Sequence, residues 1–333
     1  MRTLKRLLLV LGAVLLGALV YWIGSEPIVE TLRRLTWWEF VLVCLPYALM
    51  MAVDTLGWRY AFSRDSPPFG RLYAARVVGE AVNIVTALGQ VGGEAIKVWL
   101  VRRDVSYEQS IPSVIIAKTT ITIAQTLFLV IGIAVAWTVL DIGSGVLQAM
   151  LWLLLVEVVA VGGFLGVQVS GLVARGGRLL RLLGAADAHA ASLDRALRHY
   201  YGNERRRFAL SIGFHLTGWL LGAAETVVML WALDIDASLV AATVIEALGS
   251  GVRFAAFLIP ASLGAFEGAN AVAFEALGLG AGAGLAFSFV RRARQAVWVV
   301  IGGAGLVALR WSLPRAAGRA PVTREAKPAA RRG

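Results

Sequence analysis

The stretch LGQVGGEAIKVW, residues 88–99, sets Glu94 and Lys97 behind three glycines inside a chain that otherwise reads as membrane. Glycine permits a tight turn and a close approach of neighbouring backbone. A break in a helix at membrane depth frees amides and carbonyls that lipid cannot satisfy, so such a segment must line a polar cavity or be wrapped in protein. The expected conformation is a helix to about Leu88, a turn over 89–93, and a half-helix beginning at Glu94. The segment dips in and returns.

The surroundings agree. Of 333 residues, 58% are hydrophobic and only 16% charged, which excludes an ordinary water-soluble domain. A spanning helix needs roughly 20 apolar residues. Four stretches meet that test cleanly, 7–24, 37–62, 145–169 and 284–311, and 110–140 and 207–233 meet it while carrying polar residues. Six full spans are expected in an all-α polytopic membrane protein. The N-terminal run resembles a signal peptide, but Tyr21 and Trp22 stand where cleavage needs small residues, so it reads as a retained first span. Cys44 has no disulfide partner and three scattered histidines lack metal-ligand spacing, so no metal or cofactor is expected.

The net charge of +11 is a matter of topology rather than of nucleic acid, because the arginines lie between spans. With both termini cytoplasmic, the loops 63–72, 101–109 and 170–206 and the tail fall inside and carry arginines. LDIGSG, LDIDAS and LGLGAGAG fall outside and carry neither Lys nor Arg. Arg33 and Arg34 are the exception, balanced by Glu26 and Glu30. The linker 170–206 mixes Leu with Arg at helical spacing, as an amphipathic helix on the inner surface or a plain connection would. The tail 311–333 is too rich in Pro, Ala and Arg to pack.

Two segments, 71–100 and 240–280, are apolar but interrupted by small residues and charges. They share a plan: Glu80 and Glu94 are fourteen residues apart, as are Arg253 and Glu267, with a glycine or proline break between. QTLFLVIG from Gln125 matches QAVWVVIG from Gln295. Three crossings separate the halves, 37–140 and 207–311, so the second is inserted upside down. Two re-entrant or broken hairpins in an inverted repeat are expected, within a single membrane domain over 1–310.

Ten ionisable residues are counted within the membrane-embedded segments: Asp54, Glu80, Glu94, Lys97, Lys118, Glu225, Glu246, Arg253, Glu267 and Arg291. Exposing ten to lipid would cost about 25 to 35 kcal/mol at roughly 3 kcal/mol each. They must face inward, as ligands or as mutual salt bridges. Glu94 and Glu267 suit either a ligand or a cap at the positive end of a half-helix. Lys97 either pairs with Glu94 or binds substrate. Arg253 lies amid GVRFAAFLIP without an adjacent acid and calls for an anionic ligand or a partner such as Glu80 or Glu94. Lys118, Thr122 and Gln125 share one helical face, as do Arg292 and Gln295 near Arg291. Asn83 and Asn270 bond a headgroup or the broken backbone. Gln90 completes the candidate set inside the first turn.

ALGQVGGEAIKVWLVRR, SVIIAKTTITIAQ and IPASLGAFEGANAVAFEALGL followed by RRARQ resemble the flippase-like transmembrane family of lysylphosphatidylglycerol synthases. The likeness is greatest to its hopanoid-biosynthesis-associated branch, HpnL. It covers about residues 70–310 and implies a polytopic inner-membrane protein that moves or handles lipid. Carried over by position, the family's turns fall on 89–94 and 260–267, and its basic and polar positions on Lys118, Gln125, Arg292 and Gln295. Two departures stand out. Ala87 and Leu88 occupy the place where the family often has proline, which softens the first turn. Only a short tail follows the membrane part, so aminoacyl-lipid synthesis is not expected.

The leading reading is a translocator of a hopanoid or an anionic phospholipid, without a nucleotide-binding motif and therefore passive or ion-coupled. The alternatives are a scaffold for lipid-biosynthesis enzymes and a lipid-modifying enzyme using Glu94 or Glu267 as acid or base.

Overall fold

The computed structural model describes residues 25–63, 65–85, 91–139, 144–170 and 187–311, with isolated positions between 14 and 22. Its regular structure is helical, with no strand among the described residues. The helices are α1 (Ser25–Arg33), α2 (Trp37–Tyr60), α3 (Phe69–Val85), α4 (Val91–Val101), α5 (Tyr107–Val139) and α6 (Ser144–Val169). After the linker come α7 (Asp187–Asn203), α8 (Arg205–Ala232), α9 (Leu239–Ala255), a 3-10 turn (Pro260–Ser262), α10 (Ala265–Ala276) and α11 (Ala281–Trp311).

Side-chain chemistry explains where several of these helices begin and end. The Thr36 amide donates to the Glu39 carboxylate at 2.8 Å, closing the start of α2, and Ser238 accepts from the Ala241 amide at 3.2 Å at the start of α9. Before α10 the chain turns through Ala261, Ser262 and Gly264, all with positive φ, a region that only glycine enters without strain.

Among the described residues four helices, α2, α5, α6 and α8, are long and apolar enough to cross a membrane. The expectation of six full spans, four of them clean, meets two differences. Segment 7–24 falls largely outside the described residues. Helix α11, 31 residues long, has the length but carries Arg291, Arg292 and Arg294 in its first half. The outer face is apolar: on α6, Trp152, Val158 and Val159 are all more than half exposed, as lipid-facing residues should be.

Among the described residues two large apolar cores form beside a small third cluster around Leu285. One gathers Val43, Phe128, Met150, Leu230, Ile245 and Phe287; the other gathers Trp58, Leu72, Val101, Ile116, Leu197 and Tyr200. Along α2 the order is Val43, Asp54, Trp58, and along α5 it is Ile116, Lys118, Gln125, Phe128. A polar layer therefore lies between the cores. Helix α7, the described part of the linker, packs against α5, α6 and α8 instead of lying on a surface by itself. Its Tyr200 hydroxyl donates to the Tyr60 carbonyl at 2.8 Å.

Gly93 of the opening motif serves contact between helices. A Cβ on Gly93 would sit 2.0 Å from the Gly79 carbonyl oxygen and 2.5 Å from the Asn83 side chain, so α3 and α4 meet backbone to backbone. Helix α4 starts at Val91, which puts Glu94 within its first turn rather than at its first position. The expected turn residues Gly89 and Gln90 lie outside the described residues. Gly93→Ala is expected to lower thermal stability in detergent by about 3 kcal/mol or more, the upper end of overpacking costs, because the obstacle is backbone. Gly303→Ala, with nothing within 4 Å of the added carbon, is the matched control and should leave the unfolding midpoint unchanged.

Candidate functional site

Asp54 is the centre of the first charged group. From α2 it accepts from Arg76 of α3 at 2.7 Å and bonds His215 Nδ1 of α8 at 2.8 Å. Small residues make the approach possible: a Cβ on Gly57 would lie 2.7 Å from the His215 ring and one on Gly218 would lie 2.8 Å from Asp54 Oδ1. Beside this group, Lys97 Nζ donates to Glu94 Oε1 at 2.8 Å, and Asn83 accepts from the Gly93 amide at 2.8 Å. Of the alternatives open for Asn83 and Lys97, the structure contains the backbone bond and the Glu94 pair.

The second group is built on α8, α9 and α11. Glu246, 1% exposed, accepts from Arg253 at 2.9 Å and also from Arg291. Glu225 faces Arg294 at 3.3 Å and Arg291 at 3.5 Å. Neither of these two contacts has hydrogen-bond geometry, and both Glu225 oxygens and Arg294 Nε and NH1 are buried without a hydrogen-bond partner. Aromatic faces line the guanidiniums: Arg294 lies 4.1 Å from the centre of the Tyr47 ring and Arg253 lies 4.9 Å from that of Phe266.

A third group fastens the strained turn. Arg292 donates to Glu267 Oε1 at 2.7 Å and to the Ala261 carbonyl at 2.8 Å, while the Gly264 amide donates to Glu267 Oε2 at 2.7 Å. Asn270 donates to Ser288 at 2.8 Å.

Between the first two groups lies a cavity of about 350 Å³, within the range of ligand sites. Its wall includes residues of both halves: Asp54, Arg76, Glu80 and Lys118 from the first, Glu246, Arg253, Arg291 and Arg294 from the second. Five of these eight are cations and three are carboxylates; Glu225 behind the arginines supplies a fourth acid, so the excess stays positive. A smaller pocket of about 50 Å³ adjoins it at Glu80 and Lys118, and adds Asn83, Glu94 and Lys97.

Of the thirteen candidate residues, twelve are described and none is exposed. Glu80, Lys118, Gln125, Arg253, Arg291 and Gln295 line the larger cavity, and Asn83, Glu94 and Lys97 the smaller. Glu267, Asn270 and Arg292 line neither: Glu267 and Arg292 hold the second turn, and Asn270 ties α10 to α11 through Ser288. Gln90 lies outside the described residues. The partner of Arg253 is Glu246, seven residues back on its own helix, rather than Glu80 or Glu94. Besides Asp194 of α7, three buried ionisable residues lie in the membrane-embedded helices without having been singled out in the sequence, Arg76, Glu157 and His215. Each is a lone polar residue in an apolar helical run, and that is the signal by which it could have been found.

A helical bundle with helices long and apolar enough to cross a membrane, and with paired charges around an interior cavity, has the architecture of an integral membrane protein. The chain belongs to the lysylphosphatidylglycerol synthase transmembrane-region family, whose model matches residues 8–303, and it is accordingly a multi-pass membrane protein of lipid-related function. No curated protein and no solved structure matches it.

Removing one member of a buried ion pair leaves its partner uncompensated at a cost of about 3 to 5 kcal/mol. Glu246→Gln is therefore expected to lower stability by about that amount, since it strips a shared acceptor from two arginines. In a double-mutant cycle read by chemical unfolding in detergent, Glu246→Gln with Arg253→Met should cost clearly less than the sum of the two single changes.

Proposed function

We propose that the protein is a lipid translocator of the bacterial inner membrane, in which the charged cavity carries the headgroup while the tails stay in lipid. The observation that carries this reading is the cavity itself: its wall comes from both halves and holds more cations than carboxylates, which favours an anionic headgroup. A phospholipid or a hopanoid with an anionic headgroup is the substrate class. The hopanoid rests on the resemblance of the motifs, as does association with lipid-biosynthesis enzymes.

Alternating access by two inverted repeats with re-entrant hairpins accounts for the helix packing. In each half a long helix, two short ones and a second long one follow in order, and the pairing crosses over: α3 packs on α11, and α9 on α5. Gly132 and Gly302 stand seven residues after Gln125 and Gln295. A Cβ on Gly132 would lie 2.3 Å from that of Ala247, and one on Gly302 would lie 2.4 Å from that of Ala81. These matched contacts favour a register in which Glu80 corresponds to Glu246, not to Arg253 as residue counting suggests. A hairpin pair related in this way gives two equivalent seams that open in turn toward opposite faces.

Purified protein in vesicles is expected to make a labelled anionic phospholipid of the inner leaflet accessible to an external quencher. Arg294→Gln, which removes a cation with spare donors, should slow this about tenfold or more, as loss of a charge-assisted hydrogen bond of roughly 1.5 to 3 kcal/mol implies. Label that stays trapped with folded wild-type protein rules translocation out, and a chemically altered lipid would make the protein an enzyme.

A further inference from the structure

Glu157 stands on α6, outside both halves, and is fully buried. Its Oε1 accepts from Gln125 Nε2 at 3.0 Å, and its Oε2 has no hydrogen-bond partner. Thr126 is the other polar side chain beside it, but that hydroxyl donates to the Thr122 carbonyl at 3.1 Å. The charges on the helices packed against α6 are engaged elsewhere. Lys118 of α5 turns into the cavity, Glu246 and Arg253 of α9 pair with each other, and Glu267 of α10 is held by Arg292. Glu275 of α10 accepts from the Ala281 amide. Asp194, Arg195, Arg198 and His199 belong to α7, which meets α6 where Tyr201 bonds Gln168, about three turns from Glu157.

A carboxylate at that depth without a cation or a second donor is costly, and protonation is the ordinary way to neutralise it. We propose that Glu157 is a proton-binding site and that Gln125 links its protonation to the cavity. Gln125 Nε2 donates at once to Glu157 and, at 3.1 Å, to the Ser250 carbonyl of α9. Gln125 and Ser250 both line the cavity, on the two helices of the α5–α9 seam. The neutral acid is compatible with a dry, closed seam. Release of the proton leaves an anion that needs water or a cation, and so favours a seam open to the cavity. Proton uptake and release thereby couple to opening, a consequence that rests on the translocator reading.

Infrared titration of the purified protein tests the site apart from transport. Wild type should keep a protonated-carboxyl band well above pH 4, where free carboxyls ionise. Glu157→Gln, which reproduces the shape of the neutral acid, should lack that band, and Gln125→Leu should shift its midpoint. Identical spectra for wild type and Glu157→Gln overturn the proton site, and an unmoved midpoint in Gln125→Leu overturns the link. In vesicles, an imposed proton gradient should change wild-type lipid movement by up to about tenfold per pH unit for one coupled proton, and should leave Glu157→Gln indifferent. Movement that ignores the gradient in wild type overturns coupling while translocation stands. No movement at all, with the band present, overturns translocation and the coupling with it.

Discussion

The interior of this protein depends on carboxylates shared between arginines in a medium that solvates neither. Glu246 serves Arg253 and Arg291, and Glu225 serves Arg291 and Arg294, so one continuous chain of charge ties α8, α9 and α11 together. In a low dielectric no member can leave without stranding its neighbour. Three arginines share two carboxylates here, although each guanidinium could bond one carboxylate bidentately. Arg294 keeps two nitrogens without a hydrogen-bond partner. An entering anion meets donors that are already oriented and already desolvated.

Such a network can assemble only if backbones come close. Side chains long enough to reach across a helix interface hold their heads loosely; short reach requires glycine at the contact. Gly93 against Gly79 draws α4 onto α3 and brings Lys97 and Glu94 beside Asn83, and Gly218 lets α8 approach Asp54. In the second half the Arg292 and Glu267 clamp performs a related task by different means. It holds Ala261 and Ser262 in a conformation their backbone resists, and so fixes the angle at which α10 returns toward α11.

The broken segments and the inward-facing charges were legible because lipid penalises both so heavily that their presence demands a cause. Glu94, Lys97, Lys118 and Arg291 are all found facing inward for that reason. What the sequence hides is pairing between distant positions. Asp54 and Arg76 are 22 residues apart and Asp54 and His215 are 161 apart, and neither distance leaves a local mark. The partner of Arg253 was near but overlooked, because Glu246 is two helical turns back rather than beside it in the chain. Glu157 escaped because its span is otherwise so apolar that one carboxyl barely disturbs it.

On the translocator reading, the size of the positive excess matters as much as its sign. A cavity with matched charges would satisfy its own donors and give an anionic headgroup no reason to enter. A cavity with arginines and no carboxylates would bind the headgroup too tightly to release it, and passage requires sites that are favourable yet weak enough to leave. Here Arg76 on one wall keeps one unpaired nitrogen and Arg294 on the other keeps two, while Asp54 and Glu225 stand beside them as competing acceptors. Each step of a headgroup past these residues exchanges a carboxylate for the headgroup anion around the same guanidinium. The carboxylates are therefore what makes release possible, and their removal would turn a pathway into a trap.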